Sequence, residues 1–198
     1  LNFEIETVTE MILPIVAYGH PNLRKISQDI PPDYEGLNEL IVNMWETMYY
    51  SSGVGLAAPQ INKQIRIFVV DASPYAKEHP ETQGFKKAFI NPRIVEDRGD
   101  EWVFNEGCLS IPDIHEDVMR PEEVHIIYRD EQFVEHDEWY SGIIARIIQH
   151  EYDHLEGKLF VDKIHPLRKM MIKRKLNDIT KGDIEVSYKM IFPAKKKF

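Results

Sequence analysis

Apolar positions recur along the chain with two periods, and these mark its elements. Leu37, Leu40, Ile41, Met44, Trp45 and Met48 follow the 3, 4, 7, 8 spacing of one helix face, which predicts a helix over 37–50. The glycines of SSGVG (51–55) suit a turn and end it. IRIFVVDA (65–72) is β-branched and aromatic and predicts a strand, whereas 73–86, rich in proline, glycine and charge, reads as a surface loop. AFINPRIVE (88–96) and EWVFNEG (101–107) predict two strands with DRGD turning between them. EVHIIYRD (123–130) and QFVEHDEWY (132–140) predict two more, tightly joined. A long helix is expected from Ser141, as its N-cap, to Gly157, as its stop, and a last helix over 167–180. Strands and helices follow one another without a βαβ rhythm, so the expected class is α+β.

Composition changes this picture little. In 198 residues, 43% hydrophobic and 29% charged content is ordinary for a soluble globular protein. A net charge of −9 disfavours a general nucleic-acid binder, and no sequence-specific nucleic-acid partner is expected. The single cysteine, Cys108, has no internal disulfide partner, which fits a reducing cytoplasm. No apolar run reaches the ~18 residues of a membrane span. MILPIVA (11–17) is short, is interrupted by Pro14, and lacks the basic segment of a signal peptide. Met11 suits a natural start, so residues 1–10 are expected to be an added leader. A single domain is then expected over 11–181, ending in the C-terminal helix, with a tail over 182–198.

The chemistry begins with QHEYDHLEG (149–157). His150 and His154 lie one turn apart on one helix face, where two imidazoles can grip one ion, and Glu151 beside them can carry protons. A lone histidine on so apolar a helix would more often be a satisfied core residue. The pair with an adjacent glutamate shifts the reading to a metal. Asp153 and Glu156 fall on other faces and read as solvated or supporting groups. In NEGCLSIP (105–112), Cys108 alone would be a small buried hydrophobe. As a thiolate with two imidazoles it would complete a three-ligand site with a fourth position open to water. GVGLAAPQ (53–60) alone reads as a tight turn followed by a strand. Beside a metal, the amide of Gln60 is a candidate donor to an oxyanion.

GVGLAAPQ, EGCLS and HEYDHLEG, in this order and approximate spacing, resemble the segments of the peptide deformylase family. ILPIVAYGHPNLRKIS (12–27) and GKLFVDKI after the helix are similar to it too, so the likeness spans roughly residues 11–180. It implies antiparallel or mixed sheets packed around a central metal-binding helix, with a C-terminal helix. It implies Cys108, His150 and His154 as metal ligands and Glu151 as general acid and base. Gln60 and the Leu109 N–H would hold the carbonyl oxygen. Val54 and Gly55 would lie along the substrate backbone in β fashion.

The implied reaction removes the N-formyl group from the initiator methionine of new bacterial polypeptides in the cytoplasm, releasing formate. The implied native ion is Fe(2+), with Zn(2+), Ni(2+) or Co(2+) able to replace it; coordination chemistry alone does not choose among them. Ile143 and Ile147, on the helix face leading to His150, are candidates for a methionine pocket. Arg146 is a candidate for its rim, where it would meet a substrate carbonyl or reach solvent. Glu106 and Arg120 are candidates for a supporting pair. The basic helix 167–181 is either an ordinary solvated helix or a ribosome contact, and the tail GDIEVSYKMIFPAKKKF is atypical for that docking. Two rivals remain: a zinc endopeptidase of the HExxH type, against which Cys108 and GLAAPQ speak, and a non-catalytic metal-binding or ribosome-associated module. Glu151 and Gln60 would be superfluous in the second.

Overall fold

A computed structural model describes residues 11–193. The expected leader at 1–10 and the last tail residues, 194–198, lie outside them. The order of elements is β1 (Ile15–Val16), α1 (Leu37–Tyr50), β2 (Gly55–Ala57), β3 (Ile67–Asp71), β4 (Lys86–Cys108), β5 (Ile111–Arg129), β6 (Glu135–Ser141), α2 (Gly142–Leu155), α3 (Pro166–Lys181) and β7 (Met190–Ile191). Strands β2 to β6 form one antiparallel sheet in sequence order, and β1 pairs with β7 in parallel. The expected α+β class, with mixed strand pairing around a central helix and a C-terminal helix, is what the chain adopts.

Helix α1 has the expected bounds, because its apolar stripe buries Leu40, Ile41, Met44 and Met48 against β2 and β3. Helix α2 lies on the sheet's other face. There Ile143, Ile144, Ile147 and Ile148 pack among Phe68, Phe89, Val124 and Ile126, and the Phe68 and Phe89 rings stack 4.7 Å apart. Ser141 is the residue before α2, as read, but its side chain makes no capping bond. Gly157 ends the turn after α2 at φ +68°, and a Cβ there would meet Arg24 O at 2.6 Å, so glycine is the residue that fits.

The sheet differs from the sequence reading in one major respect. The turn expected at DRGD does not separate two strands: β4 runs unbroken over 23 residues against the 19 of β5. Register shifts between Ile90 and Arg93, Ile94 and Glu96, and Arg98 and Glu101 let the ladder bend without breaking, and Gly99 absorbs one of them at φ +83°. The loop 73–86 holds two short 3-10 turns, Ser73–Tyr75 and Pro80–Thr82. GVGLAAPQ opens as a turn followed by a strand, as read, and a 3-10 turn over Ala58–Ile61 then follows β2. Residues 182–193 lie against the domain, held by β7 on β1.

Candidate metal centre

Three elements carry the site. Strand β4 ends at Cys108, where a tight turn leads into β5; α2 presents His150, Glu151 and His154; and the turn after β2 presents Gln60. The Cys108 Sγ and one ring nitrogen of each histidine lie within 4.8 Å of one another. His154 Nε2 is 3.4 Å from Sγ. His150 turns Nδ1 to Glu106 Oε2 at 2.9 Å, which leaves Nε2 for an ion. The donor set therefore fits a divalent ion with three protein ligands and one exchangeable position.

The sequence candidates divide cleanly by position. Glu151 is buried against Gly55, and its Oε2 meets no protein donor among the described residues. Burial pushes its carboxyl up to about 7, against the pull of His150 and Arg120. Gln60 is 1% exposed; its Oε1 accepts from Ala57 N at 2.9 Å, so its NH2 is forced toward Cys108 Sγ at 3.4 Å and Ser110 Oγ at 3.2 Å. Val54, Gly55, Leu109 and Ile147 line a cleft of about 440 Å3 that reaches His150 and Glu151. Strand β2 is the edge of the sheet, so its free side faces that cleft for backbone pairing.

One candidate, Ile143, sits elsewhere, and a second, Arg146, is held by protein groups. Ile143 is 1% exposed in the core between α2 and the sheet and does not reach the cleft. Arg146 lines the cleft but does not reach solvent: it is 2% exposed, and its Nη atoms bind Glu106 Oε1 at 3.0 Å, Val118 O at 3.1 Å and Trp102 O at 2.6 Å. Its guanidinium also stacks over Trp102. The helical position before the histidines points into protein because β4 and β5 cover that face.

Glu106 turns out to be a hub. Arg120 grips it with two bonds of 2.7 and 2.9 Å, as the supporting pair read from the sequence, and Arg146 and His150 add two more. Burial alone would raise its pKa, but the bonds from Arg120 and His150 hold it far below the usual carboxylate range. Asp153, read as solvated or supporting, is buried and binds Arg120 Nη1 at 2.7 Å, while Glu156 pairs with buried Arg66 at 2.6 Å. Burial works against a charge on His150, yet its bonds to Cys108 and Glu106 raise its pKa. His154 is shifted down, by burial first and then by His150.

Sequence reasoning missed Ser110, the acceptor beside Gln60, and the edge-to-face rings of Tyr75 and Phe104, 6.2 Å apart, that wall the cleft. Tyr75 sits in the stretch read as a plain loop, where an aromatic beside proline was the available signal. Tyr188, from the tail, was missed as well.

The family model for Polypeptide deformylase matches residues 12–170. A "Peptide deformylase" of Christiangramia forsetii is 53% identical over 194 residues, covering 94% of this chain and 99% of the relative. One of Flavobacterium johnsoniae is 55% identical, covering 94% and 99%. Among solved structures, a peptide deformylase from Legionella pneumophila superposes with a TM-score of 0.76 at 37% identity, covering 87% of this chain and 98% of that one.

Proposed function

The chain belongs to the polypeptide deformylase family, a premise from which we propose how its own residues divide the work. The family reaction is the metal-dependent hydrolytic removal of the N-formyl group from nascent polypeptides, and this chain is such a hydrolase.

In the proposed division, Cys108, His150 and His154 hold the ion. A divalent ion held there would lower the pKa of a water molecule and so make hydroxide available near neutral pH. Glu151, buried with one oxygen unpartnered among the described residues, is placed to take a proton from the attacking water and later return it to the leaving amine. Its upward-shifted carboxyl suits both halves of that exchange near neutrality. Gln60 Nε2, fixed by the Ala57 bond at its other end, donates to the carbonyl oxygen as charge develops, together with the Leu109 N–H. The edge of β2 at Val54 and Gly55 aligns the substrate backbone, and Ile147, Tyr75 and Phe104 receive the methionine side chain. Glu106 fixes the His150 tautomer, and Arg120 and Arg146 fix Glu106.

The observation that carries these roles is the convergence of Cys108, His150 and His154 beside Gln60 Nε2. We take Fe(2+) as the native ion and Zn(2+), Ni(2+) or Co(2+) as substitutes, since one thiolate and two imidazoles suit each of them. The working place is the bacterial cytoplasm, where formylated chains arise; the similar proteins of bacteria and the single free thiol support that reading. Contact with the ribosome through α3 is supported by its exposed Arg168, Lys173, Arg174 and Lys175.

The test is metal analysis and formate release on protein purified without oxygen, with formyl-Met-Ala-Ser, its acetyl counterpart and the unmodified peptide as substrates. One ion per chain and formate from the first peptide alone are expected. Bound metal without formate release, or cleavage of internal bonds, overturns the reading.

A further inference from the structure

Beyond α3 the chain alternates. Ile184, Val186, Tyr188 and Met190 are half-buried, and Asp183, Glu185, Ser187 and Lys189 between them are exposed. A period of two describes extended chain lying on a surface. Its far end is anchored: Ile15 N donates to Lys189 O and Ala17 N to Ile191 O, each at 2.8 Å, and Met190 and Phe192 join the apolar clusters beneath. Between α3 and this anchor, Glu185, Val186, Ser187 and Tyr188 line the same cleft as Cys108, Leu109 and Glu151. The Tyr188 hydroxyl donates to Leu109 O at 2.8 Å. Leu109 is also the residue that packs on Gly53, so one turn links the tail to the approach of β2.

We propose that Glu185–Tyr188 forms the outer wall of the peptide cleft and reads the substrate residues that follow formylmethionine, with Tyr188 as a positioning residue that clasps the turn carrying Cys108 and Leu109. The inference rests on the deformylase reading of the cleft. The formyl end must lie deep, at Glu151 and Gln60, so the peptide leaves the cleft along β2 and past the tail. The wall offers that peptide the half-buried Val186 side chain flanked by the exposed Glu185 and Ser187. A dipeptide is too short to use it, whereas a tetrapeptide is long enough.

The experiment compares formyl-Met-Ala with formyl-Met-Ala-Ser-Ser in the wild-type protein, Val186→Ala and Tyr188→Phe. The wild type prefers the longer peptide, and Val186→Ala lowers the long-over-short ratio of kcat/KM by about three- to fivefold, through KM, as expected for lost apolar contact. Tyr188→Phe lowers kcat about fivefold on both peptides, the effect of one hydrogen bond on the turn. Calorimetry of the deformylated products Met-Ala and Met-Ala-Ser-Ser gives a second readout that needs no turnover. A wild type that binds the longer product more tightly but releases no formate overturns the deformylase reading and leaves the wall standing. Equal affinity of the wild type for both products, or a ratio unmoved by Val186→Ala, overturns the wall. A Tyr188→Phe protein with a lowered Tm but an unmoved kcat overturns the clasp.

Discussion

A Cβ at Gly55 would stand 2.3 Å from Oε1 of Glu151, so the carboxylate of α2 lies directly on the backbone of β2. The glycine thus sets where the proposed proton carrier can sit, as well as letting a peptide approach the strand edge. In Gly55→Ala the carboxylate must swing away, and kcat is expected to fall by about 10²-fold, the cost of an ångström-scale misplacement. The ligands are untouched, so metal content stays at the wild-type value. A kcat within twofold of wild type would show that this contact does not position Glu151.

Glu151→Gln and Gln60→Ala separate proton transfer from charge stabilisation. The first removes the base but keeps the shape, and should cost about 10²–10⁴-fold in kcat with the ion retained. The second removes one oxyanion donor and should cost about 10²–10³-fold. Steady-state kinetics on formyl-Met-Ala-Ser with parallel metal analysis reads both. Loss of the ion in Glu151→Gln would move the glutamate from chemistry to ligation.

Much of this was legible where local pattern and burial agree. Helix α1 has its predicted bounds because one clean stripe meets one core, and the three short motifs fall on three elements that converge. The long hairpin of β4 and β5 was not legible, because Glu96 to Glu101 are exposed on both faces and carry no alternation to show that the strand continues. The burial of Arg146 was hidden for the opposite reason: it lines the cleft, but a charged residue on a helix implies solvent unless its partners, here Glu106 and two carbonyls from other strands, are known. The tail was missed although Asp183 to Met190 alternate polar and apolar, because that pattern does not say against what the apolar side lies.

Cys108→Ser replaces a soft thiolate by a hydroxyl that stays protonated at neutral pH, so the site keeps only its two imidazole ligands. Metal content is expected to fall well below one ion per chain after dialysis, with activity falling in proportion. The fold should persist, because the β4–β5 turn is also held by Gln60 on Ser110 and Tyr188 on Leu109. Metal analysis and circular dichroism on the same sample check this. Full metal retention would remove Cys108 from the ligand set.

Asp162 joins the segment before α3 to the N-terminal part of the chain: Arg24 and Lys169 both pair with it. Burial opposes its charge, but bonds from Arg24, Leu159 N and Lys169 bring its pKa from 3.8 down to about 2. A depressed carboxylate contributes stability that is fully present above pH 3.8 and is lost as the pH falls through about 2. Partial exposure of the pair limits that contribution to about 1–2 kcal/mol. Wild type and Asp162→Asn should therefore differ in urea midpoint at pH 6 and converge as the pH approaches 2. A constant difference across that range would mean the ion pairs contribute nothing to the acid limb.

Glu106→Gln tests the hub. The substitution keeps the volume and leaves Arg120 with Asp153 alone and Arg146 with two carbonyls, so one buried positive charge loses its partner. Breaking a buried pair in this way costs about 3–5 kcal/mol, which in a chain of this length lowers Tm by roughly 10 °C. The same change weakens the acceptor that orients His150, and loss of such a partner typically costs about 10–100-fold in metal affinity. The two effects are separable. Competition with a chelator at a temperature where both proteins are fully folded reads affinity alone, and thermal unfolding reads stability. A protein that loses Tm but binds metal as tightly as wild type would confine Glu106 to the core; one that loses affinity in the folded state ties the Arg120–Glu106–Arg146 network to the geometry of His150.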